Sequence, residues 1–157
     1  IQNCRLQHQA VSSPAKLQCF QEGAETAFDN VVSRSIDLIV TSPPYFDLEH
    51  YGETDAEAIG QIRNVVSSVQ EYFDHFIQPV LKGCARVLKV GGVLALNIDD
   101  NPRVGVTICN PILQIAASSN LVLFGTVGLR KATGFGQGAR TKTHLHCAEP
   151  SYLFRAQ

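Results

Sequence analysis

Two short apolar runs on either side of a long helical stretch constrain the fold more than any other feature of this chain. The runs are residues 36–41 (IDLIVT) and 93–98 (VLALNI). Short, nearly continuous apolar runs predict parallel strands that are buried on both faces. Between them, from Ile62 to Leu88, apolar residues follow the i, i+3, i+4, i+7 spacing of a helix with a wide buried stripe. This order predicts a βαβ unit.

Further segments complete a predicted α/β fold. Residues 111–119 have a helical pattern, and residues 121–129 and 147–155 are predicted to be two strands with no helix between them. Strands connected in this way can pair antiparallel. We therefore predict a mostly parallel sheet, covered by helices on both faces, with an antiparallel ribbon at its edge. Nearer the N-terminus, residues 17–28 suggest a short strand, a turn and a short helix.

Proline and glycine interrupt the helical stretch. Pro79 lies inside the pattern, so it must either kink the helix or open a second helix at its first position. Gly91 and Gly92 are predicted to end the helix before the second strand begins.

The carboxyl ends of the predicted strands are the expected place for a site, because ligands of open α/β sheets bind beyond those ends. The segment after Thr41 occupies this place. Asn97, Asp99 and Asp100 follow the second strand and could line the same pocket. For the two aspartates, a role as helix or turn cap is at least as well supported.

The composition fits one globular domain. The chain has 157 residues, of which 45% are apolar and 17% charged, and its net charge is −1. These values exclude disorder as the main state, and no uncharged apolar stretch of about 18 residues predicts a membrane span. Because no secretory pattern is present, we expect a single cytoplasmic domain over residues 1–157, with its core at about 17–155. The chain begins at Ile1 and contains no Met, which suggests a fragment or a processed chain.

The cysteines predict neither a disulfide scaffold nor a zinc site. Five of them are scattered along the chain and form no CxxC pair. His144, His146 and Cys147 form the best metal-like cluster, but a fourth ligand is not evident. Polar residues on the solvent side of a sheet account for this cluster better. We therefore expect reduced thiols and no metal.

The segment Thr41-Ser42-Pro43-Pro44-Tyr45 has a composition suited to a planar ligand. Two consecutive prolines fix φ and lack N–H donors, so their carbonyl groups can face outward from a stiff, extended loop. The serine and the carbonyls could accept hydrogen bonds from an exocyclic amino group while the tyrosine stacks on the ring. A rigid strand exit with a surface tyrosine has about equal weight on composition alone.

This segment resembles motif IV of the S-adenosylmethionine-dependent DNA amino-methyltransferases, which modify cytosine N4 or adenine N6. The resemblance continues at Tyr51-Gly52 and at the closing EPSYLFRAQ. Residues 76–98 are similar to the family's helix, RVLKPGG and strand, with Val90 in place of the proline. The motifs cover most of the chain. They imply a partial Rossmann-like methyltransferase sheet, S-adenosyl-L-methionine as cofactor, and DNA methylation, for example in a restriction-modification system.

The resemblance also implies catalytic roles for Ser42, Pro43, Pro44 and Tyr45. Hydrogen bonds from the target amino group to Ser42 and to the Pro43 carbonyl would free the lone pair of the nitrogen. Tyr45 would stack on a base that is flipped out of the duplex. Methyl transfer would then depend largely on orientation. Ser42 in place of Asp resembles the cytosine-N4 members more than the adenine-N6 members, although serine also occurs among the adenine enzymes.

The family's FxGxG cofactor loop is not evident in the chain. Residues 134–138 (GFGQG) have its spacing, but no helical pattern follows them, which favours a plain loop. Glu22-Gly23 is the nearest match to the acidic residue that the family carries before its first helix. The candidate cofactor-binding residues are therefore Glu22, Thr41 and Ser42. We expect the cofactor-binding half to be absent and a complementary chain or a homo-oligomer to supply the missing loop.

A basic stretch is a candidate DNA interface. Arg130, Lys131, Arg140 and Lys142 lie between residues 129 and 148, where the sequence contains no acidic residue. Such cations could contact DNA phosphates, and an ordinary solvated loop is an equally weighted alternative. The isoelectric point near 6.6 argues against strong DNA binding by this chain alone.

Two other functions remain open from the sequence. A non-catalytic module would keep the fold and the base-binding loop, and would act through a partner chain or only bind nucleic acid. A methyltransferase with the similar NPPY loop would act on glutamine side chains in proteins or on RNA bases. That loop carries Asn where this chain has Ser42, and the difference favours DNA.

Overall fold

The structure is a computed structural model that describes residues 16–44, 46, 66–100, 105, 107–130 and 148–157, with backbone alone at 129, 130 and 148. The helices are α1 (Ala24–Ala27), α2 (Val69–Tyr72), α3 (Gln78–Val87) and α4 (Cys109–Ser118). The strands are β1 (Ile36–Thr41), β2 (Leu88–Asn97), β3 (Leu121–Arg130) and β4 (Ala148–Ala156). A 3₁₀ turn (Phe28–Asn30) follows α1, and a π-helical segment (Phe73–Ile77) joins α2 to α3.

The four strands form one sheet in the order β1-β2-β4-β3. β1 and β2 are parallel, whereas β4 is antiparallel to β2 on one side and to β3 on the other. The α/β fold and the β3–β4 ribbon are therefore confirmed. The prediction of a mostly parallel sheet is matched only in part, because among the described strands one neighbouring pair is parallel and two are antiparallel. The ribbon does not lie wholly at the edge, since β4 is inside the sheet. Phe154 and Ala156 of β4 are buried in the core.

One continuous helical run lies between β1 and β2 in the order of the chain. α2, the π segment and α3 follow one another without a break from residue 69 to residue 87. Pro79 is the second residue of α3, in the first turn, where a missing N–H is tolerated. Of the two alternatives from the sequence, this is nearer to the second, in which Pro79 opens a second helical segment, although Pro79 is its second residue and the helical run continues through it. The part of the predicted helix before residue 66 lies outside the described residues.

The end of this helix differs from the prediction. α3 ends at Val87 and β2 begins at the next residue, so Gly91 and Gly92 do not end the helix. They lie instead in an irregularity of β2, where the pairing with β1 jumps from Leu88 to Val93. Gly91 has a φ of 81°, and a Cβ on Gly92 would lie 2.9 Å from the Lys89 carbonyl oxygen. The backbone of this bulge thus requires both glycines.

The first predicted strand is also wrong. Residues 16–21 have no regular secondary structure, and only the short helix α1 forms in this part of the chain. Leu17 and Phe20 remain exposed, because they find no partner strand in the described sheet.

The core lies on one face of the sheet. Leu94 and Leu96 of β2 and Phe154 of β4 are buried in one cluster with residues of α3 and α4. On the opposite face, Leu38 is 57% exposed and Val40 72% exposed. Within the described residues, helices therefore cover one face and not both. In the same part of the chain, no helix is long and apolar enough to cross a membrane.

Candidate functional site

The candidate site begins at the end of β1. Thr41 is the last residue of this strand and lies opposite Leu96 of β2. Ser42 follows with an exposed side chain, whereas Pro43 is buried and Pro44 is half-buried. The loop therefore leaves the sheet with a polar side chain in solvent and its first proline packed inside.

The long helix holds this loop through one hydrogen bond. Tyr72, the last residue of α2, is completely buried, and its hydroxyl donates to the Pro44 carbonyl oxygen at 2.9 Å. The Tyr72 ring lies in an aromatic cluster with Phe46, Phe73 and Phe76, at centroid distances of 5.8, 5.7 and 5.8 Å. Phe46 belongs to the segment that continues the loop. The site is thus tied to the core on both sides of residue 45.

The neighbouring strand ends are joined by Asn97. Its side-chain amide donates to the Pro150 carbonyl oxygen at 3.2 Å and to Ser151 Oγ at 3.1 Å. The backbone N–H of Ile98 donates to the same Pro150 oxygen at 3.3 Å. Asn97 therefore connects β2 to β4 at the rim of the sheet, which differs from a role as a pocket-lining donor.

Asp100 caps α4, as one of the two sequence-based alternatives predicted. Its carboxylate accepts hydrogen bonds from the backbone N–H groups of Ile108 at 2.7 Å and Cys109 at 2.9 Å. Burial by itself would raise the pKa of this carboxyl group, but the two N–H donors outweigh burial and lower the pKa. Asp100 is therefore held in its charged form at the start of the helix, where a negative charge is favourable.

Next to this cap, the side chains of Cys109 and Tyr152 are held in their neutral forms. Burial raises the pKa of the Cys109 thiol to about 11, and the charge of Asp100 adds to the effect. Burial also raises the pKa of Tyr152, which shares a hydrogen bond with Cys109. A neutral thiol is a poor nucleophile. This corner of the rim is structural in character.

The structure brings four of the sequence-predicted site residues together, because Thr41, Ser42, Pro43 and Pro44 are contiguous at the rim. Glu22 bonds elsewhere, since its carboxylate accepts hydrogen bonds from the Asn30 amide at 3.0 and 2.9 Å. Tyr45 lies outside the described residues, as do the Arg130 side chain and the whole of Lys131, Arg140, Lys142, residues 134–138 and the cluster of His144, His146 and Cys147.

Sequence reasoning missed the role of Tyr72, which the helical pattern treats as one more core position. The signal that could have found it is chemical, because a buried tyrosine usually needs a partner for its hydroxyl. Two described cavities, of about 360 and 410 Å³, are each lined by residues of α3 and α4, and neither is lined by the diproline loop, residues 42–44. Among the described residues, no cluster of three His, Cys, Asp or Glu is placed to hold a metal.

Comparison with known proteins gives both sequence and fold relationships. The family model described as DNA methylase matches residues 36–141. A comparison with curated proteins found no match. A candidate DNA modification methylase from Thermus thermophilus is similar in structure, with 21% identity, a TM-score of 0.55, and coverage of 85% of this chain and 50% of that chain.

Two further solved structures share the fold. The Thermus thermophilus protein in complex with S-adenosyl-L-methionine has 19% identity and a TM-score of 0.52, and the match covers 85% of this chain and 51% of that one. The PvuII DNA methyltransferase, which is cytosine-N4-specific, has 17% identity and a TM-score of 0.55. This match covers 85% of this chain and 47% of that one. The chain therefore spans about half the length of these structural relatives.

Proposed function

This chain belongs to the DNA methylase family, and from that premise we propose that it forms the target-base half of a methyltransferase. The proposed reaction moves a methyl group from S-adenosylmethionine to the exocyclic amino group of a DNA base. One observation carries the proposal. Ser42 is exposed at the carboxyl end of β1, directly before two prolines whose backbone is anchored to the core through the Pro44 carbonyl.

The chemistry follows from the acceptors in this loop. An exocyclic amino group is a weak nucleophile because its lone pair is delocalised into the ring. Ser42 Oγ and the Pro43 carbonyl oxygen belong to adjacent residues and could accept both N–H groups of one amine. These hydrogen bonds localise the lone pair on nitrogen and fix its direction. Holding a reacting atom in one orientation supplies much of the rate enhancement in such a transfer.

The described residues fit one end of the cofactor. S-adenosylmethionine supplies an electrophilic methyl group on a sulfonium sulfur. Thr41 and Ser42 lie at the rim, where the methyl-bearing end would meet the amine. Glu22 is proposed as a cofactor residue on the resemblance alone. No glycine-rich loop opens a helix of eight or more residues within the described ranges, so these residues do not provide for the methionine end.

We propose DNA as the partner and a flipped-out base as the target. Tyr45 is the proposed stacking residue, and Ser42 in place of Asp favours cytosine N4 over adenine N6. The four cations between residues 129 and 148 are proposed to contact phosphates, which attract Lys and Arg regardless of sequence. These are Arg130, Lys131, Arg140 and Lys142. A cytoplasmic restriction-modification system is the proposed setting.

A second candidate function is a split or inactive methyltransferase module. This alternative rests on the sequence, in which the only segment with the spacing of the family's FxGxG loop, residues 134–138, is not followed by a helical pattern. Such a module would bind nucleic acid or a partner chain without catalysis of its own. A complementary chain or a second copy would then supply the cofactor loop.

Calorimetric titration of S-adenosylmethionine into the 157-residue chain separates these two functions. If the chain has its own cofactor pocket, binding should be tighter than about 1 mM. If it is a split module, no heat of binding should appear. Activity should then depend on adding a complementary polypeptide.

The catalytic assignment is tested by Ser42→Ala in a preparation that transfers methyl groups to DNA. The loss of one acceptor should slow transfer at least about tenfold, read as labelled N4-methylcytosine or N6-methyladenine by mass spectrometry. Ser118→Ala is the matched control, because the Ser118 hydroxyl donates within α4, to the Ile115 carbonyl oxygen at 2.8 Å. Equal rates for wild type and Ser42→Ala would remove Ser42 from the mechanism.

A further inference from the structure

The two prolines of the diproline loop, Pro43 and Pro44, have no main-chain N–H donors. Their own backbone can only accept hydrogen bonds. Any hydrogen bond to their carbonyl oxygens must therefore come from a donor elsewhere in the molecule. Tyr72 supplies this donor across 28 residues of sequence, with its hydroxyl 2.9 Å from the Pro44 carbonyl oxygen.

Tyr72 is itself held firmly. Its side chain is completely buried, and the rings of Phe46, Phe73 and Phe76 surround it at tilted angles of 54°, 54° and 31°. A side chain packed in this way keeps one rotamer, so the position of its hydroxyl is defined. The same ring contacts Phe46, which follows residue 45, and its hydroxyl binds Pro44, which precedes it. Both neighbours of Tyr45 in the sequence are thus anchored on one residue.

Tyr72 lies where α2 meets the π-helical segment. Tyr72 is the last residue before the π-helical segment, and Tyr72 and Phe73 are adjacent in sequence and both buried. π-helical insertions are frequent at functional sites. One helical run thus supplies the hydroxyl of Tyr72 and two of the rings packed around it, those of Phe73 and Phe76.

We propose that Tyr72 is a positioning residue for methyl transfer, which fixes the direction of the carbonyl groups in the diproline loop. The proposal rests on the function proposed above. Successive carbonyls of an extended proline backbone point in different directions. When Tyr72 holds the Pro44 carbonyl toward the core, the Pro43 carbonyl is turned to another side, where it can join Ser42 as the second acceptor for a base amine.

Tyr72→Phe tests the proposal, because it removes the hydroxyl and keeps the ring. The sequence contains one Pro-Tyr dipeptide, residues 44–45. Protein labelled with ¹³C-carbonyl proline and ¹⁵N-tyrosine therefore gives one carbonyl–amide NMR signal that reports on the Pro44 carbonyl. Loss of its hydrogen bond should move the carbonyl resonance upfield. In the same samples, titration with deoxycytidine or deoxyadenosine monophosphate should show binding about tenfold weaker in Tyr72→Phe.

Tyr152→Phe is the matched control, since it removes the hydroxyl of a second tyrosine, which is half-buried and whose partner is Cys109. It should leave both the Pro44 signal and the nucleotide affinity unchanged. An unmoved Pro44 carbonyl signal in Tyr72→Phe, or a moved signal with unchanged nucleotide affinity, overturns the positioning role. If the wild-type chain binds neither nucleotide, the base-binding function fails instead, while the carbonyl signal still decides whether Tyr72 fixes the loop.

Discussion

At the scale of single residues, the rim of the sheet is held by side chains that bond to main-chain atoms. Tyr72 donates to the Pro44 carbonyl, Asn97 donates to the Pro150 carbonyl, and Asp100 accepts from two N–H groups at the start of α4. Each contact joins segments that are separated in sequence. The loops of the rim therefore take their positions from the core and not from their own local preferences.

The cap formed by Asp100 leads to a prediction about stability. Asp100→Ala should lower the free energy of unfolding by about 1 kcal/mol at pH 7, because two N–H groups lose their acceptor. The pKa of Asp100 is lowered in the folded state, so its contribution is present above the unfolded pKa and is lost as pH falls through the folded value. The difference between wild type and variant should therefore shrink below about pH 4. Urea unfolding at several pH values measures this.

The control for this experiment is Asp29→Ala, which removes an exposed carboxylate from the 3₁₀ turn, where it makes no cap hydrogen bond. Its effect on unfolding should be small at every pH. A difference between wild type and Asp100→Ala that stays constant down to about pH 2 would contradict the assigned role of the charged cap.

The buried cysteines give a second prediction at this scale. Burial raises the pKa of Cys84 to about 12 and that of Cys109 to about 11. Both thiols should therefore resist iodoacetamide in the folded protein at about pH 8, since the thiolate is the reactive form. The half-buried Cys19 should be labelled under the same conditions. Peptide mapping by mass spectrometry, before and after unfolding in urea, provides the measurement, and rapid labelling of Cys84 in folded protein would contradict it.

At the scale of elements, the sequence pattern predicted the positions of the helices and strands well, but it predicted the transitions between them poorly. Periodicity predicted residues 111–119, 121–129 and 147–155 to within two residues of α4, β3 and β4. The π segment could not be predicted in this way, because it alters the number of residues per turn inside an otherwise regular stripe. The prediction that Gly91 and Gly92 end the helix was wrong for a related reason, because glycine pairs occur both at helix ends and at strand bulges.

The bulge in β2 can be tested by adding a methyl group. Gly92→Ala should lower the free energy of unfolding by about 1–3 kcal/mol, because the new Cβ would lie 2.9 Å from the Lys89 carbonyl oxygen and 3.2 Å from that of Ile36. Gly125→Ala is the matched control in β3, where the nearest atom to a new Cβ is Leu153 Cδ1 at 3.7 Å. Equal stability of the two variants in denaturant unfolding would show that the close approach at Gly92 does not exist.

At the scale of the whole molecule, the two faces of the sheet differ. One face carries the core, and the other presents apolar side chains of β1 and β3 to solvent, namely Leu38, Val40, Val122, Phe124 and Val127. Arg155 covers part of this face, with its guanidinium 4.8 Å from the centre of the Phe124 ring. The sequence predicts that the strands at residues 36–41 and 93–98 are buried on both faces. Within the described residues, helices cover only one of these faces.

This asymmetry predicts unequal responses to substitution. Val40→Thr should change the free energy of unfolding by less than about 0.5 kcal/mol, because Val40 is 72% exposed and Thr keeps its β-branched shape. Leu94→Ala, on the covered face, should cost about 2–5 kcal/mol. Urea unfolding of both variants measures the contrast. A large loss in Val40→Thr would mean that this face is packed in solution.

The candidate site contains residues that the sequence alone could indicate and one that it could not. Ser42, Pro43 and Pro44 could be proposed from the sequence because they are adjacent and directly follow a recognisable strand, and their catalytic role stays a prediction. Tyr72 could not, since its role depends on a contact across 28 residues. The order of strands was hidden for the same reason, because nothing local to residues 147–155 states that they insert between two strands from earlier in the chain.

The interior place of β4 also governs the order of assembly. β2 and β3 are made first, but each leaves an edge unpaired until residues 148–156 arrive to join them. During synthesis on the ribosome, the nascent chain must therefore carry two open strand edges, which are prone to pair with other chains. The pairing of β4 with both neighbours follows their synthesis, and it brings Ser151 opposite Asn97 at the rim only after residues 148–156 have been translated.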